Sequence, residues 1–168
     1  MNRIVLSLLF ASIFVSVNIV QSQPSAHLKP VVNVVRIKNI SAQLEIADTE
    51  ELITQGLSDR DYLAPDAGML FVFPDTTQRS FWMFHCLIDW DIAYINPDGA
   101  IQDIQTMTVE PANTPRSRLK LYRSTTNDIK YAIEMNGNWF AQHSISIGDT
   151  ASVQHIVSHV KNGLLWIK

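Results

Sequence analysis

From Ile40 to Ala47 the chain reads ISAQLEIA, with Ile40, Ala42, Leu44 and Ile46 on one side of an extended backbone and Ser41, Gln43 and Glu45 on the other. A period of two over that length predicts a half-buried strand. The pattern breaks at DTEELITQGL, where Asp48 and Glu51 have capping-box spacing and Gly56 stands where a short helix would end in a left-handed turn, with Leu57 folding back. One or two helical turns of this kind depend on tertiary contacts. After turn signals at Pro65 and Gly68, the run Met69–Phe73 is apolar without interruption, which predicts a strand covered on both faces and ended by Pro74. SFWMFHCL and DWDIAYI read as two further strands; NPDG, with Asp98 and Gly99, is a strong turn signal, and AIQDIQTM returns as the partner strand. Periodicity is lost from Thr108 to Ile129 around Pro111 and Pro115, a length of loop that is often functional. YAIEM resumes as strand, NGNWFAQHS predicts a turn or short helix, and ISIGDTASV carries a Gly148-Asp149 turn. The tail QHIVSHVKNGLLWIK has helical spacing at Val153, Ile156, Val157 and Val160 but β-branched content, so helix and strand both stay open there. Short strands with small helices at turns predict an α+β, mainly β fold: a small single domain of antiparallel strands, barrel-like or built as two packed sheets.

The first residues change the picture of compartment. Arg3 precedes an apolar run from Ile4 to Val20, and Val20 and Ser22 occupy the small-residue positions of a cleavage site after Ser22. This is the layout of a signal peptide, residues 1–22, and it predicts a secreted or periplasmic protein. The alternative is a retained anchor, since the run approaches the ~20 residues of a spanning helix. Residues 23–39, with Pro24 and Pro30, read as a lead-in, residues 40–153 as the domain and 154–168 as a C-terminal extension. The 168-residue chain carries 13 basic and 16 acidic side chains, and removal of Arg3 leaves 12 against 16 in 146 residues. The basic residues are scattered, which argues against nucleic acid and against an anionic membrane surface as partners. A lone cysteine cannot form an internal disulfide, so packing alone must supply stability.

Candidate chemistry concentrates in SFWMFHCLIDWDIAYINPDG. A nucleophilic Cys86 would need a depressed pKa, yet on a strand His85 and Cys86 point to opposite faces, and a buried thiol acting as a small hydrophobe is the simpler expectation. His85, Asp89 and Asp91 offer oxygen and imidazole ligands for a divalent metal, against ordinary surface or turn roles, such as Asp91 hydrogen-bonding a loop. Phe81 and Met83 would face one way and Trp82 and Phe84 the other. Trp82 and Trp90 read as core, the simpler expectation for tryptophan, or else, together with Asp89, Asp91, His85 and the turn arginines Arg60 and Arg79 (otherwise ordinary solvated arginines), as candidates for a ligand site of apolar faces with a few placed polar groups. No Gly-x-Ser-x-Gly elbow and no phosphate-cradling glycine loop occurs in the sequence.

Several blocks, in order, resemble a widespread family, the domain of unknown function 192 (DUF192). They are Gly56-Leu57, Gly68 to Phe73, Phe81 to Met83, Asp91-Ile92, Asp98-Gly99, Trp139 and Gly148-Asp149, between about Leu44 and Val153. The resemblance implies a small β-rich domain, often exported, in which these glycines and turn aspartates are structural, and it supplies no activity. After Phe-Trp-Met the commoner family pattern is Lys-Asn-Thr-Leu-Ile-Pro-Leu-Asp, where this chain has Phe84 to Asp91, and the loop cysteines of many members are absent. The small residue of that pattern at the place of Cys86 fits packing. The favoured expectation is a non-catalytic binding module for a small molecule, glycan or peptide. An enzyme using Cys86 or a metal on His85, Asp89 and Asp91, and a structural or protein-interaction domain, are the alternatives. Cofactor and oligomeric state stay open.

Overall fold

The computed structural model describes residues 32–154; the expected signal peptide, the start of the lead-in and the C-terminal extension beyond Gln154 lie outside them. Among the described residues eight strands occur: β1 (Val32–Ile37), β2 (Ile40–Ala47), β3 (Ala67–Thr77), β4 (Ser80–Phe81), β5 (Trp90–Ile95), β6 (Ile101–Met107), β7 (Tyr122–Arg123) and β8 (Ile129–Asn136). Two short helices, α1 (Glu50–Gln55) and α2 (Trp139–Gln142), and a 3-10 turn at Arg116–Arg118 complete the description.

Six strands form one sheet in the order β1-β2-β3-β8-β5-β6, and β4 and β7 form a separate two-stranded ribbon. The mainly β, α+β expectation holds. The large sheet is open rather than barrel-like, and it is mixed: β2 and β3 run parallel, from Gln43 opposite Ala67 to Ala47 opposite Phe71. The physical reason is the connection, since a parallel pair needs a crossover and the stretch between β2 and β3 that contains α1 provides it. The lead-in is also shorter than expected, because Val32–Ile37 forms β1 and pairs with β2 from Val32 opposite Glu45 to Ile37 opposite Ile40.

Both faces of the sheet are covered, so its central strands are mostly apolar, with Asp91 of β5 and Glu134 of β8 as buried exceptions. On one face Leu70, Val72, Ala93, Ile95, Tyr131, Ile133 and Met135 pack under Trp139 and Phe140 of α2 and under Ile145, Ala151 and Val153. On the other, Met69, Phe71, Phe73, Ile92, Tyr94 and Ala132 pack with Leu57, Leu63, Met83 and Tyr122, and Leu52 and Ile53 of α1 close the edge. The helix N-cap is Thr49, one residue after the expected Asp48, with the Leu52 N–H donating to its hydroxyl at 3.3 Å. Gly56 ends the helix at φ 52°.

Pro74 does not end β3. Pairing with β8 runs to Val72 opposite Tyr131 and resumes at Thr77 opposite Ile129, so the strand bulges off its neighbour where proline can offer no N–H. The NPDG turn forms as read: the Asp98 and Ala100 N–H groups both donate to the Asn96 side-chain oxygen, and Gly99 adopts φ 86°.

Candidate functional site

The expected strand SFWMFHCL shrinks to Ser80–Phe81. Beyond Phe81 the chain turns, with His85 at φ 55° and the Cys86 N–H donating to the Met83 carbonyl at 3.4 Å. The division of side chains nevertheless survives. Phe81 packs edge-on against Phe71 (4.9 Å), Phe73 (6.3 Å) and Tyr94 (5.9 Å) and Met83 is buried, while Trp82 is 36% exposed and leans on Phe84.

This outward turn opens a cleft of about 720 Å³ between α1, the second half of β3 and β4. Val72, Phe73 and Pro74 of β3, Ile53 of α1, and Phe81 and Trp82 supply its apolar wall, and Asp48, Glu50, Arg79 and Lys130 supply charge. Arg79 is fixed. Its guanidinium carbon lies 4.1 Å from the centre of the Phe73 ring, and one terminal nitrogen donates to the Asp75 carbonyl (2.7 Å) and carboxylate (2.5 Å). That ion pair holds the Asp75 carboxyl below the usual carboxylate range. The Arg79 backbone is pinned in turn by the buried Ser124, whose hydroxyl accepts from the Arg79 N–H at 3.1 Å. A second arginine, Arg116, sits 4.4 Å over the Trp82 ring and 4.8 Å over Phe84, an exposed arrangement of the cation–π kind.

His85 and Cys86 border a different hollow of about 400 Å³, with Asp59, Glu110 and Pro111 to Thr114. They share that hollow because the segment is a turn and not the extended strand that would separate them. No hydrogen bond joins them: His85 stacks on Phe84 at 4.1 Å with Nδ1 3.5 Å from Asp59, and the Cys86 sulfur faces the Phe84 carbonyl at 3.7 Å. Burial pushes the Cys86 thiol up to about 11, the Glu134 carboxyl adds to the rise, and the nearby Trp90 N–H works the other way. A thiol raised from its ordinary 9.0 to about 11 is roughly a hundredfold poorer in thiolate at neutral pH. Labelling of native protein with a disulfide reagent at pH 7.5 is therefore expected to run at least about a hundredfold slower than after denaturation; equal rates would contradict this placement.

The remaining candidates are dispersed. Trp90 is fully buried and is no part of a binding surface. Asp89 accepts from the Val109 N–H (2.7 Å) and the buried Asp91 accepts from the Thr106 hydroxyl (2.8 Å), so both aspartates hold the ends of the β5–β6 ladder and the start of the following loop. Arg60 makes a two-pronged ion pair with Glu45 at 2.6 and 2.7 Å, away from the cleft. Among the described residues, no group of three or more His, Cys, Asp and Glu is placed to hold a metal ion, and His85, Asp89 and Asp91 are not brought together. Only Arg79 and Trp82 of the expected ligand residues line the large cleft.

Sequence reasoning missed Glu134, a carboxyl buried at the centre of the sheet, opposite Met69 and Ile92. Its Oε2 has no hydrogen-bond partner. Burial raises its pKa to about 8, against the Leu57 backbone N–H bonded to it and the Arg60 guanidinium. A glutamate inside the otherwise apolar YAIEM was the available signal. A third hollow joins Tyr62, Asp66, Trp139 and His143; there the Trp139 N–H donates to Asp66 at 3.1 Å and the His143 ring lies tilted against Trp139 at 4.4 Å.

Among the described residues no helix is long and apolar enough to cross a membrane. No curated protein matches the chain. Among solved structures it is similar to a proposed transcription regulator from Sinorhizobium meliloti 1021, with 25% identity, a TM-score of 0.66, and coverage of 74% of this chain and 95% of that one. It is also similar in fold to a protein of unknown function from Novosphingobium aromaticivorans DSM 12444, with 23% identity, a TM-score of 0.61, and coverage of 77% and 89%. The model of the DUF192 family, described as "Uncharacterized ACR", matches residues 33–153. The chain belongs to the DUF192 family.

Proposed function

We propose that this domain, exported by its N-terminal segment, is a non-catalytic binding module whose site is the α1–β3–β4 cleft. The observation that carries the reading is the cleft itself: about 720 Å³ with Phe73, Phe81 and Trp82 along one wall and charged groups at its rim, a size and composition suited to a small molecule or a short peptide. A glycan matches less well, because sugar rings stack on open aromatic faces and here guanidinium groups lie over Phe73 and Trp82. The thiol of Cys86, raised by burial, supports binding over chemistry.

Thermal-shift and calorimetric screening of uncharged aromatic compounds and short peptides tests the proposal, with Trp82→Ala as the diagnostic variant. Trp82 is partly exposed, so its truncation is expected to move the melting temperature by only a few degrees. It should weaken any cleft ligand by about tenfold or more, as loss of an aromatic anchor does. A ligand that binds wild type and Trp82→Ala equally tightly would place the site elsewhere.

A further inference from the structure

The rim of the cleft is polarised by the order of strands in the sheet. Because β3 lies between β2 and β8, Asp48 and Glu50, which follow β2, border the cleft on one side, and Lys130 of β8 borders it on the other with Val72 and Phe73 between. Asp48 and Glu50 are exposed, and their carboxylates have no hydrogen bond or ion pair among the described residues. On the opposite rim Arg79 is tied to Asp75 through one terminal nitrogen while its buried Nε has no hydrogen-bond partner, and Lys130 donates to the Pro74 carbonyl at 2.9 Å. Beside the aromatic wall, the exposed charges of the cleft without an ion-pair partner among the described residues are thus the two carboxylates.

The cleft is also bordered by a strand edge. Ser80 and Phe81 pair with Arg123 and Tyr122 of β7, and the Ser124 N–H donates to the Arg79 carbonyl at 2.9 Å. In an antiparallel ladder, bonded and non-bonded pairs alternate. With Arg79 bonded to Ser124, Ser80 is the non-bonded member, and its N–H and C=O are directed away from β7. Ser80 lines the cleft. A main-chain donor and acceptor, an apolar wall for alternate side chains and an uncompensated acidic rim together meet the requirements for strand addition by a peptide.

We infer that the ligand of the cleft is an extended peptide segment that adds to the β4 edge at Ser80, sets an apolar side chain against Phe73, Phe81 and Trp82, and places a basic side chain at Asp48 and Glu50. This rests on the reading of the cleft as a binding site. The probe is the capped pentapeptide Lys-Val-Phe-Val-Ser, titrated by calorimetry beside the same peptide with Lys replaced by Glu, a version N-methylated at alternate amides, and indole as a neutral aromatic. Binding of the first is expected to weaken about tenfold or more on N-methylation. Loss of the charge, in the peptide or in an Asp48→Asn, Glu50→Gln double variant, is expected to weaken it about three- to tenfold, an effect that 0.5 M salt diminishes. Ser80→Pro removes the outward N–H without touching the β7 ladder and is expected to abolish peptide binding while leaving indole bound; the N-methylated peptide makes the same test on wild-type protein should that variant not fold. Peptide binding indifferent to N-methylation, or to the sign of the charge, overturns the inference. Indole binding in the cleft without any peptide binding also overturns it and leaves the proposed function standing, whereas no binding by either at millimolar concentration sinks both.

Discussion

Gly68→Ala is expected to lower stability by about 3 kcal/mol or more, or to prevent folding. Gly68 stands in β3 where the strand is paired on both sides, opposite Leu44 of β2 and Met135 of β8. A methyl group there would meet the Glu134 carbonyl oxygen, the Met135 sulfur and the Leu44 side chain, all under 3.0 Å. The sulfur and the leucine methyl have some freedom to move. The carbonyl belongs to the backbone of β8 and moves only if the pairing of three central strands opens. Overpacking in a well-packed core typically costs about 1–3 kcal/mol, and contact with an immobile main chain puts this case at the top of that range. At roughly 4 °C per kcal/mol for a domain of this size, the melting temperature should fall on the order of 10 °C. Gly148→Ala is the control: at φ 92° it has nothing within 4 Å of the added methyl, so only conformational strain, about 1–2 kcal/mol, applies. Calorimetric melting of the two variants makes the comparison. A Gly68→Ala protein that melts within a degree or two of wild type would refute the close approach of β2, β3 and β8 at this residue.

The second large effect is on the pH dependence of stability, through Glu134. Its pKa is raised from an ordinary 4.5 to about 8, burial being the main cause. Below about pH 4.5 both folded and unfolded chains carry the proton. Between about 4.5 and 8 the unfolded chain has released it and the folded chain retains it, so the unfolded state binds fewer protons and stability falls as pH rises. The slope from this group approaches about 1.4 kcal/mol per pH unit, and its stabilising contribution is gone once the pH passes through the folded value. Cys86, raised from 9.0 to about 11, acts in the same direction only in a more alkaline window. Asp149, held below the ordinary carboxylate range by the Ser146 N–H and Lys38, acts in the opposite sense at acid pH. Glu134→Gln keeps an oxygen for the Leu57 N–H and cannot ionise. It is expected to flatten the profile between pH 5 and 8 and to melt above wild type at pH 8, with the two converging towards pH 4.5. Parallel wild-type and Glu134→Gln profiles over that interval would show that the carboxyl does not titrate from a buried state. Because Leu57 directly follows the turn that ends α1, ionisation of Glu134 also loads the element that walls the cleft.

Strong local codes made much of the architecture readable. The β5–β6 hairpin follows from alternation flanking an Asn-Pro-Asp-Gly turn, and β2 follows from alternation alone, because a side chain's face is a local property. The parallel pairing of β2 with β3 depends on a crossover whose direction no local pattern records. The stretch from Trp82 to Leu87 misled because aromatic content favours strand, while a tertiary fact, the His85 turn at φ 55°, decides the path. Valine-rich β1 was hidden behind Pro30, as its pairing with β2 is non-local information. Arg79 and Trp82 were found because both lie near the aromatic block. Asp48, Glu50, Phe73 and Lys130 were not, since only folding brings α1, β3 and β8 to one cleft. Trp90 was open to core or ligand roles by residue type and is in the core, while Arg60, a ligand candidate in a turn, is engaged by Glu45.

The bulge at Pro74 separates two duties along one strand. Up to Val72 the residues of β3 are locked to β8, and from there to Thr77 five steps on β3 answer two on its neighbour. Chain length in that interval is slack with respect to the ladder, so residues can be added or removed beside the cleft wall without shifting the register that keeps every central side chain on its proper face. The domain thereby sets an adjustable cleft mouth on a fixed frame, where a change of length leaves the folding problem the same.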